Sequence, residues 1–331
     1  MMLQVNPTFR TTLTAALKPL ERQGWVNVET DARDKRGRRL RLTDAAPGAL
    51  GKAYRDGDPF GDHFAAVLQE RRSEADAFYA AIIPPKLPPD AAAVMRQALA
   101  GMLWSKQTYN YDVARWLQGH GYANQAQLQH ASIRNRQWFQ AVNADVISMP
   151  DKWEYPWFAA WDLAFHTVSL AIVDLDFAKQ QLLLLLSEHY LHPNGQIPAY
   201  EWNFSDVNPP VQAWAALRLY AIERDATGKG DLAFLQDSFN KLALNYTWWV
   251  NRKDPDNRDV FGGGFLGLDN ISVFDRSAPL PTGGQLIQSD GTAWMIFYTL
   301  SMLQIALELA LHDPVYQSMA SKYFEQFLWI Q

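Results

Sequence analysis

The sequence predicts an all-α protein, built from stacked helical hairpins that follow a small helix and a β-hairpin. Long segments beyond residue 61 repeat apolar residues at helical spacing, with proline or glycine between them. The connections are alternately short and long, as in stacks of α-hairpins. With 331 residues, 48% of them hydrophobic, the chain is long enough to bury a large core.

The N-terminal segment differs from the rest of the chain in charge. Residues 1–55 carry 11 Lys or Arg against 5 Asp or Glu, about +6, whereas the remainder carries 19 against 30, about −11. A helix is predicted over 8–23, with Gly24 ending it. The following "WVNVETDARDKRGRRLRLTD" has two alternating stretches around a charged turn at 34–37, which predicts a β-hairpin.

A helix followed by a basic hairpin resembles the recognition helix and wing of MarR-type winged-helix regulators, over residues 3–48. The resemblance implies that basic side chains would contact DNA phosphates: Arg33, Lys35, Arg36, Arg38, Arg39 and Arg41. About 45 residues rarely fold alone, and a wing needs a helical platform. A solvated basic hairpin is therefore the favoured interpretation, and a DNA partner is not expected.

Three segments are predicted: a partial winged-helix-like part at 1–48, a linker rich in Gly, Pro and Asp at 49–61, and a helical domain at 62–331. The predicted helices span about 62–82, 90–118, 157–172, 175–191, 208–225, 231–251, 290–311 and 314–329. Two long loops, 192–210 and 252–289, contain the Gly/Pro-rich stretches. Loops of that length in a compact domain usually carry function.

Several functional classes are not indicated by the sequence. There are no cysteines, so disulfides and thiolate metal sites are excluded. No secretory signal or long uninterrupted apolar run is present, so a cytoplasmic location without membrane contact is expected. Nucleophile-elbow, zincin and phosphate-loop motifs are absent. We expect no metal and no cofactor.

Acidic residues embedded among aromatics are the remaining candidates for chemistry. Asp162 follows Trp161, Glu201 lies between Tyr200 and Trp202, and Asp269 lies in "GFLGLDN". Burial beside an indole raises a carboxyl pKa, as a general acid near neutral pH requires. If Pro156 starts a helix, Trp157, Trp161 and Phe165 share one face, and Asp162 and His166 share the next.

Each of these residues also has a structural interpretation. Asp162 could pair with His166 or a nearby lysine, Glu201 could cap the helix that begins near Val207, and the tryptophans could be core. Three acidic-aromatic clusters, in or beside long loops, shift the balance toward a site. Aromatic plates beside carboxylates suit sugars, and paired carboxylates across a cleft perform glycoside hydrolysis.

Long stretches beyond residue 60 resemble bacterial members of glycoside hydrolase family 63. They include "NADVISMPDKWEYPWFAAWDLAFH", "LHPNGQIPAYEWNFSDVNPPVQAWA", "GGGFLGLDNISVFDRSAPLPTGG" and "QSDGTAWM". The resemblance implies an (α/α)6 toroid and an inverting reaction on α-linked glucosides or mannosides. Asp162, in the Trp-Asp pair that begins an inner helix, is implied as the general acid.

The resemblance, with the aromatic pattern, gives the candidate residues. Glu201 and Asp269 are the candidate second carboxylates beside Asp162. The expected sugar-binding residues are Trp153, Glu154, Tyr155, Trp157, Trp161, Tyr200, Trp202, Asn203, Asn270 and Trp294.

One departure from the family pattern concerns the catalytic base. The family's base is a Glu near a Tyr- and Gly-rich segment late in the toroid, whereas this sequence ends at "FEQFLWIQ" and supplies about half a ring. We therefore expect an incomplete toroid, weak or broad specificity, and a homo-oligomer covering the open half. Two alternatives stay open: a non-catalytic carbohydrate-binding protein, and a sugar-responsive DNA-binding regulator.

Overall fold

The computed structural model of the protein is mostly helical. It describes residues 21–22, 24, 26–30, 38–43, 61–122, 136–150, 158–199, 207–254, 256–262, 281–283 and 290–331. The chain forms two compact units, residues 1–93 and 94–331. The predicted segment boundaries, 1–48, 49–61 and 62–331, stay a prediction.

The first unit contains the predicted β-hairpin. Strands β1 (Val26–Thr30) and β2 (Arg38–Leu42) pair antiparallel, from Val26 opposite Leu42 to Thr30 opposite Arg38. Helix α1 (Asp62–Ile82) follows, with the bounds that the sequence predicts. The unit boundary falls within α2 (Pro89–Trp104).

One predicted helix, 90–118, is wrong as a continuous element. The chain leaves α2 at Trp104, forms strand β3 (Lys106–Asp112), and returns to a short helix, α3 (Val113–Gly119). Strand β4 (Val142–Ser148), which the sequence did not predict, pairs antiparallel with β3. The threonine and tyrosines of "KQTYNYD" favour extended backbone, and Asp112 caps α3 by accepting a hydrogen bond from the Arg115 N–H at 3.0 Å.

The second unit is dominated by three helical hairpins. Their helices are α4 (Ala160–Leu170), α5 (Leu175–Leu185), α6 (Gln212–Thr227), α7 (Leu232–Arg252), α8 (Asp290–Ala310) and α9 (Tyr316–Ile330). Helices α4, α6 and α8 form a row of neighbours, and each also packs against its hairpin partner. This arrangement is consistent with the predicted all-α, partial helical-hairpin toroid.

Several helix bounds differ from the predicted ones, and caps mark two of the observed ends. Helix α4 begins at Ala160 rather than at residue 157, and α5 ends at Leu185 rather than at 191. Helix α5 starts where the Asp174 carboxylate accepts a hydrogen bond from the Phe177 N–H at 3.0 Å. Helix α6 ends at Gly228, whose φ of 78° is a left-handed conformation that favours glycine.

The core lies between these helices and the β3–β4 ladder. Its largest fully buried side chains include Tyr190, Tyr298 and Phe261. Helix α8 is long and apolar enough, by length and composition alone, to cross a membrane. It packs against α6, α7 and α9 and buries Met295, Tyr298 and Met302, so within the described residues it is a core helix.

Candidate functional site

The N-terminal ends of α4, α6 and α8 come together at one end of their row. Each of these helices carries a tryptophan within its first five residues: Trp161, Trp214 and Trp294. The ring centres of Trp161 and Trp294 are 6.3 Å apart, so α4 and α8 meet at their starts. Because α5 and α7 each reverse the chain direction, the three helices run the same way and present their starts together.

Two phenylalanines extend these tryptophans into a continuous aromatic platform. Phe165 lies 5.8 Å from Trp161 and 5.4 Å from Trp214, and Phe297 lies 5.8 Å from Trp294, all between ring centres. The four partly buried rings pack on the core, and Phe165 is 39% exposed. We name Trp161, Phe165, Trp214, Trp294 and Phe297 the aromatic platform. Its half-exposed rings are suited to stack on a flat ligand with apolar faces.

Asp162 lies in the first turn of α4, beside Trp161 of the platform. The residue is exposed to solvent, yet desolvation by the surrounding protein raises the pKa of its carboxyl, while a hydrogen bond from its own backbone N–H partly lowers it. Water therefore reaches the carboxyl, while the protein around it displaces much of the bulk solvent.

No cation compensates Asp162 among the described residues, and the alternative in which Asp162 pairs with His166 is not observed there. Burial lowers the pKa of His166 to about 4, and a hydrogen bond to the Ser148 backbone opposes this only in part. His166 is therefore neutral near pH 7. A carboxyl with a raised pKa and a neutral neighbour is better suited to donate a proton than an ion-paired one.

The first turn of α4 is held by residues from outside the helix. Its N-cap, Ala159, makes no side-chain cap. The Ala160 N–H donates to the Ala199 carbonyl at 2.9 Å, and the Trp161 N–H donates to Asn208 Oδ1 at 3.4 Å. The N–H groups that a helix start leaves unpaired thus find acceptors in the chain before α6.

Strand β4 is joined to helix α5 by hydrogen bonds from a buried glutamine of α5. Gln181 accepts a hydrogen bond from the Ser148 N–H and donates one to the Val146 carbonyl, both at 2.9 Å. Lys106 of β3 pairs with Asp174, the N-cap of α5, at 2.6 Å. These contacts fix the ladder to α5, the hairpin partner of α4.

Only three predicted site residues lie in the described part of the chain: Asp162, Trp161 and Trp294, which the structure brings together. The others lie outside the described residues: Trp153, Glu154, Tyr155, Trp157, Tyr200, Glu201, Trp202, Asn203, Asp269 and Asn270. Their site roles stay predictions.

Sequence reasoning did not select Trp214, Phe297 or Asn208 as site residues. A signal for Trp214 was available, since it is the third residue of α6, just as Trp161 is the second of α4. Asn208 had no comparable signal, because its role depends on a contact with a helix 47 positions away in the chain.

A separate cavity of about 390 Å³ lies between α5 and α7. Its lining includes Asp176, Lys179, Gln180, Asp231, Phe234 and Asp237. Lys179 is held there by Glu223 and Asp231, each at 2.8 Å. This cavity is therefore lined by a compensated ion cluster. Within the described residues, no three His, Asp or Glu side chains group closely enough to hold a metal ion; the expected lack of metal and cofactor stays a prediction.

Comparison with known proteins matches this part of the chain to a glycan-cleaving domain. Residues 155–263 match the mannosylglycerate hydrolase MGH1-like glycoside hydrolase domain. The match includes Asp162, Asn208 and Trp214, and it supports a glycoside hydrolase. It does not extend to a substrate or a mechanism.

A relative in Saccharomyces cerevisiae, an uncharacterized protein, is 53% identical over 270 residues. The alignment covers 81% of this chain but 25% of the yeast protein, so the chain spans about a quarter of that relative's length. The comparisons do not support the winged-helix resemblance of residues 3–48. A two-stranded basic hairpin occurs in many folds, so the observed β1–β2 pairing is not specific for that class.

Proposed function

We propose that the protein is an inverting glycoside hydrolase of the family 63 type, acting on α-linked glucosides or mannosides with Asp162 as the general acid. The observation that carries this proposal is the position of Asp162: a carboxyl with a raised pKa, without a cationic partner among the described residues, in the first turn of a helix whose neighbouring rings form a platform. Protonated Asp162 gives its proton to the glycosidic oxygen as the bond to the leaving group breaks.

The aromatic platform supplies the sugar-binding surface in this proposal. A pyranose ring has C–H groups on its faces and hydroxyls at its rim, so it can stack on Trp161, Trp214 or Trp294 while its rim meets polar groups. A sugar bound there would place a glycosidic oxygen beside Asp162, which adjoins Trp161 in the sequence.

The second carboxylate is proposed from the sequence. An inverting enzyme needs a base roughly 6.5–9.5 Å from the acid, to leave room for the attacking water. Glu201 is our first candidate. It lies two positions after Ala199 in the chain, and the Ala199 carbonyl accepts a hydrogen bond from the Ala160 N–H. Asp269 is the second candidate.

The leaving group provides the sharpest test of the acid. With alkyl α-glucosides or α-mannosides, D162N should lower kcat about 10³-fold, because a poor leaving group needs the proton. With 2,4-dinitrophenyl glycosides the loss should be far smaller, because that leaving group departs as a stable anion. The matched control, Asp176→Asn, changes an exposed carboxylate of α5 and should leave both rates unchanged.

The same substrates test the second carboxylate and the stereochemistry. Glu201→Gln should slow both leaving-group classes equally, because water activation is needed in both. Proton NMR of the first product should show the β-anomer. Equal losses for both leaving groups in D162N, or an α-anomeric first product, would contradict the mechanism. Sugar binding without turnover in the unmodified chain would favour the non-catalytic binding protein.

A further inference from the structure

The first turn of α4 is capped by residues from the segment of chain that precedes α6. A helix start leaves several backbone N–H groups without acceptors, and a Ser, Thr, Asp or Asn at the N-cap usually supplies one. Ala159 occupies that position in α4 and cannot. Ala199 and Asn208 provide acceptors instead, at 2.9 Å from the Ala160 nitrogen and 3.4 Å from the Trp161 nitrogen.

The Asn208 side chain is buried in the protein. It is 8% exposed, and Gln212, 3% exposed, donates to the Ala160 carbonyl from the same side at 3.4 Å. Two buried amides from one short stretch therefore contact the same turn of α4. Removing a buried amide that bonds to another helix leaves the partner group without a hydrogen bond, which destabilises the fold.

The two external acceptors flank one segment of the chain. Ala199 precedes and Asn208 follows residues 200–206, which contain the predicted sugar contacts Tyr200, Glu201, Trp202 and Asn203. Ala199 and Asn208, the described residues on either side, both accept hydrogen bonds from the helical turn that carries Asp162.

We propose that Asn208 is a positioning residue, which caps α4 from outside and fixes the placement of Asp162. The expected effect on turnover rests on the proposed function. The expected effect on the first turn of α4 does not. Asn208 does not touch the reacting atoms in this account. It holds the backbone of Trp161, and through it the adjacent Asp162 carboxyl.

The test compares N208A and N208D with a matched control, Asn143→Ala. Asn143 is also buried, at 4% exposed, and its amide donates to the His189 carbonyl at 2.9 Å, away from the start of α4. In N208A, amide hydrogen exchange in the peptide covering 160–164 should be about fivefold faster, as expected for a lost helix cap. In the control, that peptide should exchange as in the unmodified chain.

Two further readouts separate positioning from general stability. In N208D the new carboxylate still accepts the Trp161 N–H, so exchange should return toward normal. Its charge lies near Asp162, so the Asp162 carboxyl, followed by ¹³C NMR, should titrate at higher pH than in the unmodified chain. With an active glycoside, kcat should fall about tenfold in N208A with a smaller change in KM, and recover in N208D.

The outcomes distinguish this inference from the proposed function. If the unmodified chain hydrolyses no glycoside but the exchange and titration results hold, the hydrolase proposal fails and the positioning role stands. If N208A leaves exchange at 160–164 unchanged and N208D does not move the Asp162 titration, the positioning role is wrong, whatever the activity.

Discussion

Two aspartates at helix starts in this protein have opposite electrostatic surroundings. Asp162 lies in the first turn of α4 beside Trp161, and Asp231 is the N-cap of α7 beside Phe234. Asp231 accepts hydrogen bonds from the Phe234 N–H at 3.0 Å and from Lys179 at 2.8 Å, and the hydrogen bond from Lys179 is the main reason that its pKa is lowered. Within the described residues no cation pairs with Asp162, and desolvation raises its pKa.

The difference shows how a fold separates an ion-paired carboxylate from a desolvated one without a cationic partner among the described residues. At Asp231, burial alone would lower the pKa of Lys179, but its hydrogen bonds to Asp231 and Glu223 outweigh burial and raise it. The charged forms of both Lys179 and Asp231 are therefore favoured in the folded protein. At Asp162 desolvation disfavours the charged carboxylate, so near neutral pH the ionised group costs folding stability and does not add to it. In our proposal the raised pKa favours acid catalysis.

The largest expected effect comes from giving Asp162 the cation that Asp231 has. His166→Lys places an ammonium one helical turn after Asp162. An adjacent opposite charge lowers a carboxyl pKa by about one to three pH units, so the alkaline limb of the pH–rate profile should move down by that amount, and the rate at pH 7 should fall about tenfold or more. His166→Gln, which adds no charge, is the control. If the alkaline limb of the pH–rate profile does not move in the lysine variant, Asp162 is not the general acid.

Removing the cation from the other cluster should lower stability instead of activity. Lys179→Met leaves Glu223 and Asp231 partly buried beside each other without their counter-ion. We expect a loss of about 2–3 kcal/mol in the free energy of unfolding, measured by urea denaturation, with little change in kcat. D162N, by contrast, should unfold at the same or a slightly higher urea concentration. A stabilised Lys179 variant would mean that the cluster is not compensated as described.

The pH dependence of stability tests the neutral state of His166. Its pKa in the folded protein is about 4, below its ordinary value of about 6.5, so the unfolded chain binds more protons between these values. The stabilising contribution of neutral His166 is fully present above about pH 6.5 and is lost as the pH falls toward 4, by about 3 kcal/mol. In His166→Gln this part of the urea midpoint's pH dependence should be absent. His189→Gln, at an exposed residue, should keep it.

The smallest expected effect concerns the aromatic platform. Trp214→Ala removes one half-buried ring and should raise KM about threefold while changing kcat less, since stacking binds substrate and transition state alike. Trp104→Ala is the control, since that tryptophan is 84% exposed and lies outside the platform. A fall in kcat at constant KM would show that Trp214 acts on the reaction step and not on binding.

Much of the helical architecture was predictable because helical spacing is a local pattern that repeats over many consecutive residues. Helix α1 has its predicted bounds, and α8 differs by one residue. Strand β4 was missed because its inward-facing positions include Asn143 and Asp145, so no apolar alternation marks it. Those polar residues are buried because their partners, the His189 carbonyl and the Tyr190 hydroxyl, come from a distant turn.

The candidate site was predictable only in part, for a related reason. The Trp-Asp pair at 161–162 is visible in the sequence, and the direction of the Asp162 pKa shift follows from burial. The capping of α4 by Asn208 and the joining of Trp294 to Trp161 are contacts across the fold. A periodic pattern does not encode such pairs.

The most direct test of the contrast between the two aspartates is a ¹³C NMR titration of the side-chain carboxyls, with D162N and Asp231→Asn used to assign the two signals. We predict that Asp162 titrates above the ordinary value of about 3.9 and Asp231 below it. If Asp162 titrates at or below 3.9, or below Asp231, the protein does not hold this carboxyl for proton donation and the central claim is wrong.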